Sequence, residues 1–79
     1  VAWHEGKFYF VHAPLNSIME ELARWYDVEV FYKNPEAKEL VFTGDLEKYD
    51  DCEVVLNIIS MTTNVTFTIR DRAIIVQMK

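Results

Sequence analysis

The sequence predicts an α+β domain of order β-α-β-β-α-β-β, built from two βαβ-like halves with two helices packed on small sheets. Three observations carry this. Between Pro14 and Tyr32 the hydrophobic period changes: Leu15, Ile18, Leu22 and Trp25 recur at helical steps, then Val28, Val30 and Tyr32 alternate with polar or outward residues. A shift of 37 residues lays Ile18, Met19 and Leu22 on Val55, Leu56 and Ile59, and Val28, Val30 and Tyr32 on Val65, Phe67 and Ile69. Finally, a chain of 79 residues that is 51% hydrophobic and 14% aromatic can fill one dense core, so residues 1–79 form a single domain. The chain begins at Val1, and we expect it to be a fragment of a longer protein.

Val1 to Gly6 is a lead-in carrying Trp3 and His4, and Lys7 to Val11 reads as the first strand. Phe8 and Phe10 fall on one face of it, Tyr9 and Val11 on the other. Ala13 is a poor helix cap, so Pro14 at the first helical position and packing must start the first helix. That helix ends near Tyr26, and the second strand runs to about Lys33. Asn34-Pro35-Glu36-Ala37-Lys38 is a turn. Leu40 to Leu46 is a third strand, in which Gly44 signals a bulge or a close approach. Asp50 and Glu53 stand at capping-box spacing before the second helix, whose buried face holds Val55, Leu56 and Ile59, with Cys52 a candidate fourth member. Thr62-Thr63-Asn64 closes that helix, with Asn64 suited to a left-handed end. Val65, Phe67 and Ile69 mark the fourth strand, and a turn at Arg70-Asp71-Arg72 leads into a last strand, Ala73 to Met78, forming an antiparallel hairpin.

The net charge of −5 disfavours nucleic acid and anionic membrane surfaces as partners, since both require clustered Lys and Arg. Cys52 is the lone cysteine and cannot form an internal disulfide; its helical position suits a small hydrophobe. No apolar run reaches the ~20 residues of a membrane helix, and no signal peptide is legible. His4 and His12 have no companions at metal-ligand spacing, and Ser17 and Ser60 lie in helices without a nucleophile motif. The pairs Glu20-Glu21 and Asp50-Asp51 read as a solvated helix face and a helix start, and the sequon Asn64-Val65-Thr66 enters a strand. No glycine-rich phosphate loop is present. These absences lead us to expect no catalytic, cofactor or metal residues. An RNA-recognition domain would need basic residues beside its aromatics. An acylphosphatase would need a basic, glycine-containing cradle where this chain has Val11-His12-Ala13-Pro14.

What remains is aromatic surface. Tyr9 and Phe31 stand opposite the core residues of their strands, and Trp3 precedes any element, which makes the three candidates for partner binding. The alternative is that a second sheet or a loop buries them. The free edge of the first strand, flanked by Trp3 and carrying Tyr9, is the candidate for strand addition by a partner.

Several runs carry a family likeness. Trp3-His4-Glu5-Gly6-Lys7-Phe8-Tyr9-Phe10, Pro14-Leu15, Ile18-Met19 and Leu22-Ala23-Arg24-Trp25-Tyr26-Asp27-Val28 resemble the C-terminal domain of FecR-like anti-sigma regulators of the Bacteroidetes. Phe42-Thr43-Gly44, Val55-Leu56-Asn57-Ile58-Ile59, Val65-Thr66-Phe67-Thr68-Ile69 and Ile74-Ile75-Val76 fit as well, so the likeness spans nearly the whole chain. One departure is the turn at Asp71-Arg72, where such domains often carry a glycine. The chain is also similar to the secretin and TonB short N-terminal domain, which has two βαβ halves. The resemblance implies a periplasmic, non-enzymatic module of a single-pass inner-membrane protein. Its partner would be the N-terminal signalling domain of a TonB-dependent outer-membrane transducer. A sigma factor would be touched only by a cytoplasmic part outside this chain. The competing reading is the signalling domain of the TonB-dependent transporter itself.

Overall fold

The computed structural model describes residues 6–48 and 50–79. Strand β1 (Lys7–Pro14) leads into helix α1 (Leu15–Tyr26), strand β2 (Glu29–Tyr32), a short 3-10 helix (Pro35–Glu39) and strand β3 (Val41–Glu47). Helix α2 (Cys52–Thr62), strand β4 (Val65–Arg70) and strand β5 (Ala73–Met78) complete the chain, in the order read from the sequence. Two sheets form. β1 and β3 pair antiparallel, and β5 lies at the centre of the order β2-β5-β4, parallel to β2 and antiparallel to β4. Each half therefore sends its first strand to one sheet and its second strand to the other. α1 packs on β1 and β2, and α2 on β3 and β4, so the helices form a layer between the sheets.

The core confirms the duplication at its centre. Ile18, Met19, Leu22, Val55, Leu56 and Ile59 are all buried, with Phe8, Phe10, Phe42 and Leu46 closing one side and Val65, Ile74 and Val76 the other. Alternation along β1 puts Phe8 and Phe10 inward and leaves Tyr9 and Val11 outward.

Several local expectations are corrected. Pro14 is the residue before α1 rather than its first residue, and the Leu15 N–H is satisfied by the Leu40 carbonyl at 2.6 Å instead of by a side chain. The capping box does not form: Asp51, not Asp50, precedes α2 and makes no side-chain cap bond, which moves Glu53 off the required third position. α2 ends without a left-handed residue. Thr63 is extended there, and both its N–H, at 3.0 Å, and its Oγ1, at 2.6 Å, donate to the Ile59 carbonyl, so Asn64 is not needed as a cap. At the end of α1, by contrast, Asp27 is left-handed (φ 59°) and the Val28 N–H reaches back to Ala23 at 3.0 Å. Trp25 is not a core residue; it is 45% exposed and covers Phe8 edge-on at 6.2 Å. The expected turn at Asn34–Lys38 is the 3-10 helix, seating Ala37 in the core.

The irregularity signalled by Gly44 lies mainly on the facing strand. Phe10 pairs with Gly44 and Ala13 with Phe42, so Val11 and His12 oppose Thr43 alone in a bulge that extends β1 beyond its expected end. His12 takes a positive φ of 48°, and its N–H donates to Thr43 Oγ1 at 2.8 Å. Gly44 itself answers a close approach: a Cβ there would lie 3.0 Å from Phe42 Cζ.

Candidate protein-interaction site

The three aromatic candidates have different fates. Tyr9 is 52% exposed on the outer face of the two-stranded sheet, and Phe31 is equally exposed on the outer face of the three-stranded sheet. The helical layer separates these faces, so Tyr9 and Phe31 do not form one patch. Trp3 lies outside the described residues.

Around Tyr9 the surface is mixed. Val11, lifted by the bulge, is 83% exposed, and Val41 at the far end of β3 is partly exposed. Lys7 forms ion pairs with Asp45 at 3.2 Å and Glu47 at 3.5 Å. The hydrogen bond to Asp45, then the charges of Asp45 and Glu47, raise the Lys7 ammonium above its usual range. The sequence reading placed Val11 on this outer face; what it missed is the bulge on β1, because a bulge is a property of two facing strands. Gly44 was the only signal of it.

The Trp25-Tyr26 pair has a structural task. Trp25 Nε1 donates to the Lys48 carbonyl at 2.8 Å, and the Tyr26 hydroxyl donates to the Asp50 carbonyl at 2.8 Å. The Lys48 ammonium sits 5.2 Å from the Trp25 ring and 5.4 Å from that of Phe8. The end of α1 thus clamps Lys48 and Asp50, between β3 and α2. Burial, with smaller contributions from Cys52, Asp50 and Asp51, raises the Tyr26 phenol above its ordinary value.

A second surface feature was also missed. Two clefts open between each helix and the strand that follows it. One, of about 260 Å³, lies between α1 and β2, and the other, of about 330 Å³, between α2 and β4. Asn16, Met19, Glu20 and Ala23 line the first from the helix, with Val30 and Tyr32 from the strand. Add 37 to each number and most of the second lining appears: Glu53, Leu56, Asn57 and Ser60 from α2, Phe67 and Ile69 from β4, joined by Thr66, which has no counterpart in the first. The first is guarded. Lys38 lines it and holds its ammonium 5.1 Å from the Tyr32 ring, while burial, and secondarily Glu20, raise the Tyr32 phenol. The signal for both clefts was present in the 37-residue shift, had it been applied to polar as well as apolar positions.

Beside the second cleft, α2 shows a further apolar stripe. Val54, Ile58 and Met61 are 44%, 37% and 79% exposed, at helical spacing on the side away from the core. Cys52 is half-buried and burial raises its thiol, which favours the unreactive protonated form. Among the described residues no group of three or more His, Cys, Asp or Glu could hold a metal ion, and no helix is long and apolar enough to cross a membrane.

The architecture defines a small α+β module of two duplicated halves that presents sheet edges and clefts. Within that class the chain belongs to the FecR C-terminal family, whose pattern, described as FecR, C-terminal, matches residues 7–76. Two solved structures of a candidate anti-sigma factor from Parabacteroides distasonis ATCC 8503, at 1.65 Å and 2.50 Å resolution, share the fold with a TM-score of 0.82 and 23% identity. The alignment covers 95% of this chain and 35% of each of those chains, so the chain spans about a third of their length. No curated protein matches significantly.

Proposed function

We propose that this chain is the periplasmic, protein-binding receiver of a FecR-like membrane-anchored anti-sigma regulator. Its input is the N-terminal signalling domain of a TonB-dependent outer-membrane transducer, and its output passes to a sigma factor held by another part of the protein. The observation that carries this reading is the family match over residues 7–76. The surface supports it: the functional features built from the described residues are sheet edges and exposed apolar side chains, which suit protein association.

The receiving surface in this reading is the outer edge of β1, with Tyr9 as anchor, and Phe31 is the corresponding candidate on the opposite sheet. Among the described residues β1 pairs only with β3. The acidic balance of −5 favours a partner with a basic patch, chiefly through a faster association rate. The test is titration of the purified chain with N-terminal domains of TonB-dependent transducers from the same genome. One cognate domain should bind, and Tyr9→Ala should weaken it about tenfold while leaving stability unchanged, as expected of an exposed aromatic anchor. Absence of binding to every such domain would overturn the assignment. Binding insensitive to both Tyr9→Ala and Phe31→Ala would move the surface elsewhere.

A further inference from the structure

We propose that the outer edge of β4 and the cleft beneath α2 together form a docking site for one extended strand of a partner polypeptide. That strand carries two apolar side chains two residues apart and a basic side chain two residues before the first of them. This site is separate from the β1 edge and does not depend on which protein supplies the strand.

Backbone parity is the first observation. The Lys79 N–H donates to the Asn64 carbonyl at 3.0 Å. Carried along the register of β4 against β5, this assigns the hydrogen-bonded pairs to Thr66, Thr68 and Arg70. The alternate residues Val65, Phe67 and Ile69 direct their N–H and C=O groups to the outer edge. Ser60 Oγ donates to the Val65 carbonyl at 2.8 Å and so closes that end. No described strand meets the N–H and C=O groups of Phe67 and Ile69. Such a row is recognised by another extended backbone and by little else.

The matching edge of β2 is the internal control. Glu29 and Lys33 donate to the Arg72 and Val76 carbonyls, both at 2.8 Å, so Val30 and Tyr32 face outward on that strand. These are the 37-residue equivalents of Phe67 and Ile69. Yet β2 has four residues against six in β4, and Lys38 stands over Tyr32. A short strand with a lysine at its edge is protected against strand addition. β4 has no equivalent cover among the described residues, and Ile69 is 39% exposed.

The cleft specifies the side chains. A partner residue hydrogen-bonded opposite Phe67 or Ile69 projects to the same face as they do, into the 330 Å³ cleft between Leu56 and the strand. Leu56, Phe67 and Ile69 give small apolar side chains a seat there, under a rim of Asn57 and Ser60. The partner residue between them shares the outer face with Thr66 and Thr68, where a polar side chain fits. Ser60 sits against Val65, so Glu53, seven residues earlier on α2, flanks Ile69. Glu53 is the charged member of the cleft lining, and it selects a basic side chain at that end. In the antiparallel orientation, which has the better ladder geometry, this is the N-terminal end of the partner strand.

The test uses the isotope-labelled 79-residue chain and the peptide acetyl-Lys-Thr-Val-Thr-Val-Thr-amide. In the free chain the Phe67 and Ile69 amides should exchange with solvent much faster than those of Thr66 and Thr68. Added peptide should shift the signals of Leu56, Phe67 and Ile69 and slow exchange at Phe67 and Ile69. The same peptide N-methylated at both valines should not bind. Glu53→Lys should weaken binding by about two- to fivefold, the range of an exposed ion pair, with the fold intact by circular dichroism. The proposal is overturned if millimolar peptide leaves these signals unmoved, if the N-methylated peptide binds equally, or if the shifts centre on Val30 and Tyr32. Protection of Phe67 and Ile69 in the free chain also overturns it; where that protection rises with protein concentration, the edge belongs to a second copy of the chain.

Discussion

The two halves of the molecule agree inside and disagree outside. Leu22 and Ile59, Ile18 and Val55, and Met19 and Leu56 are equivalent pairs, each member at most 2% exposed. On the outward side of the same helices, Ser17, Glu21 and Arg24 of α1 correspond to Val54, Ile58 and Met61 of α2. One helix turns polar groups to solvent and the other turns apolar ones, although both bury the same stripe. Packing constrains the inner positions because a lost methylene leaves a cavity. Packing constrains the outer ones far less, so their divergence points to use more than to stability. The edges tell the same story: the edge after α1 is short and guarded, the edge after α2 longer and uncovered.

The sharpest way to break the comparison is at its centre. Leu22→Ala and Ile59→Ala should each lower unfolding free energy by about 2–5 kcal/mol through lost transfer energy and the cavity left behind. Denaturant titration checks this. If either variant stays within about 0.5 kcal/mol of the parent, that position behaves as surface and the equivalence fails.

Gly44→Val probes a feature that only the second half has. Its side chain must enter the space held by the Phe42 ring, at a site where φ is 157°. The expected loss is about 1–3 kcal/mol, typical of overpacking. A neutral result would show that Phe42 can swing away.

Much of this molecule was legible in the sequence. Both helices and all five strands follow from period, because a buried face imposes its spacing directly on the chain. The aromatic run at Trp25-Tyr26 was legible as a motif but not as a clamp: its partners are the backbone carbonyls of Lys48 and Asp50, and a carbonyl carries no residue identity. Strand pairing was legible only for β4 and β5, where a two-residue turn forces it. The parallel pairing of β2 with β5 joins segments more than forty residues apart, and no local pattern encodes it. The clefts and the open β4 edge follow from that pairing, which is why the sequence pointed to the β1 edge, with the last strand Ala73–Met78 as the alternative, and was silent on β4; β5 is in fact the central strand and offers no edge. The cap at α2 misled for a related reason. Asp50 and Asp51 are interchangeable by composition, and tertiary placement of the preceding connection decides which precedes the helix.

Tyr26 belongs to the first half alone, since its equivalent, Thr63, bonds back within its own helix. Tyr26→Phe should cost about 0.5–1.5 kcal/mol, the net value of one hydrogen bond. The phenol also predicts a pH effect. Its pKa is raised in the folded state, first by burial, so the folded chain holds the proton more tightly than the unfolded chain. The associated stability is complete below the ordinary tyrosine range near 10 and is lost as pH rises through the folded value. Tyr32 is raised in the same direction and adds to the loss. Alkaline unfolding of Tyr26→Phe should therefore be less steep than that of the parent, and equal steepness would show that Tyr26 does not drive it.

The smallest expected effect concerns the outer helix faces. Transplanting the α1 surface onto α2, as Val54→Ser, Ile58→Glu and Met61→Arg, exchanges residues that the core does not use. Val54 and Met61 should each change stability by less than about 0.5 kcal/mol, as ordinary surface positions do. Ile58, the least exposed of the three at 37%, should show the largest loss of the set. Arg and Met have similar helix propensities, and a cation suits the last turn of a helix, so Met61→Arg should be neutral or slightly stabilising. Thermal melting and sedimentation of the triple variant separate two meanings of the stripe. If the variant melts with the parent and both sediment as monomers, the stripe is surplus surface of an isolated chain, available to a partner. If the variant alone is monomeric, the stripe holds two copies together. If the variant unfolds at a much lower temperature, Val54, Ile58 and Met61 are structural despite their exposure, and the contrast between the two helices is one of packing rather than of use.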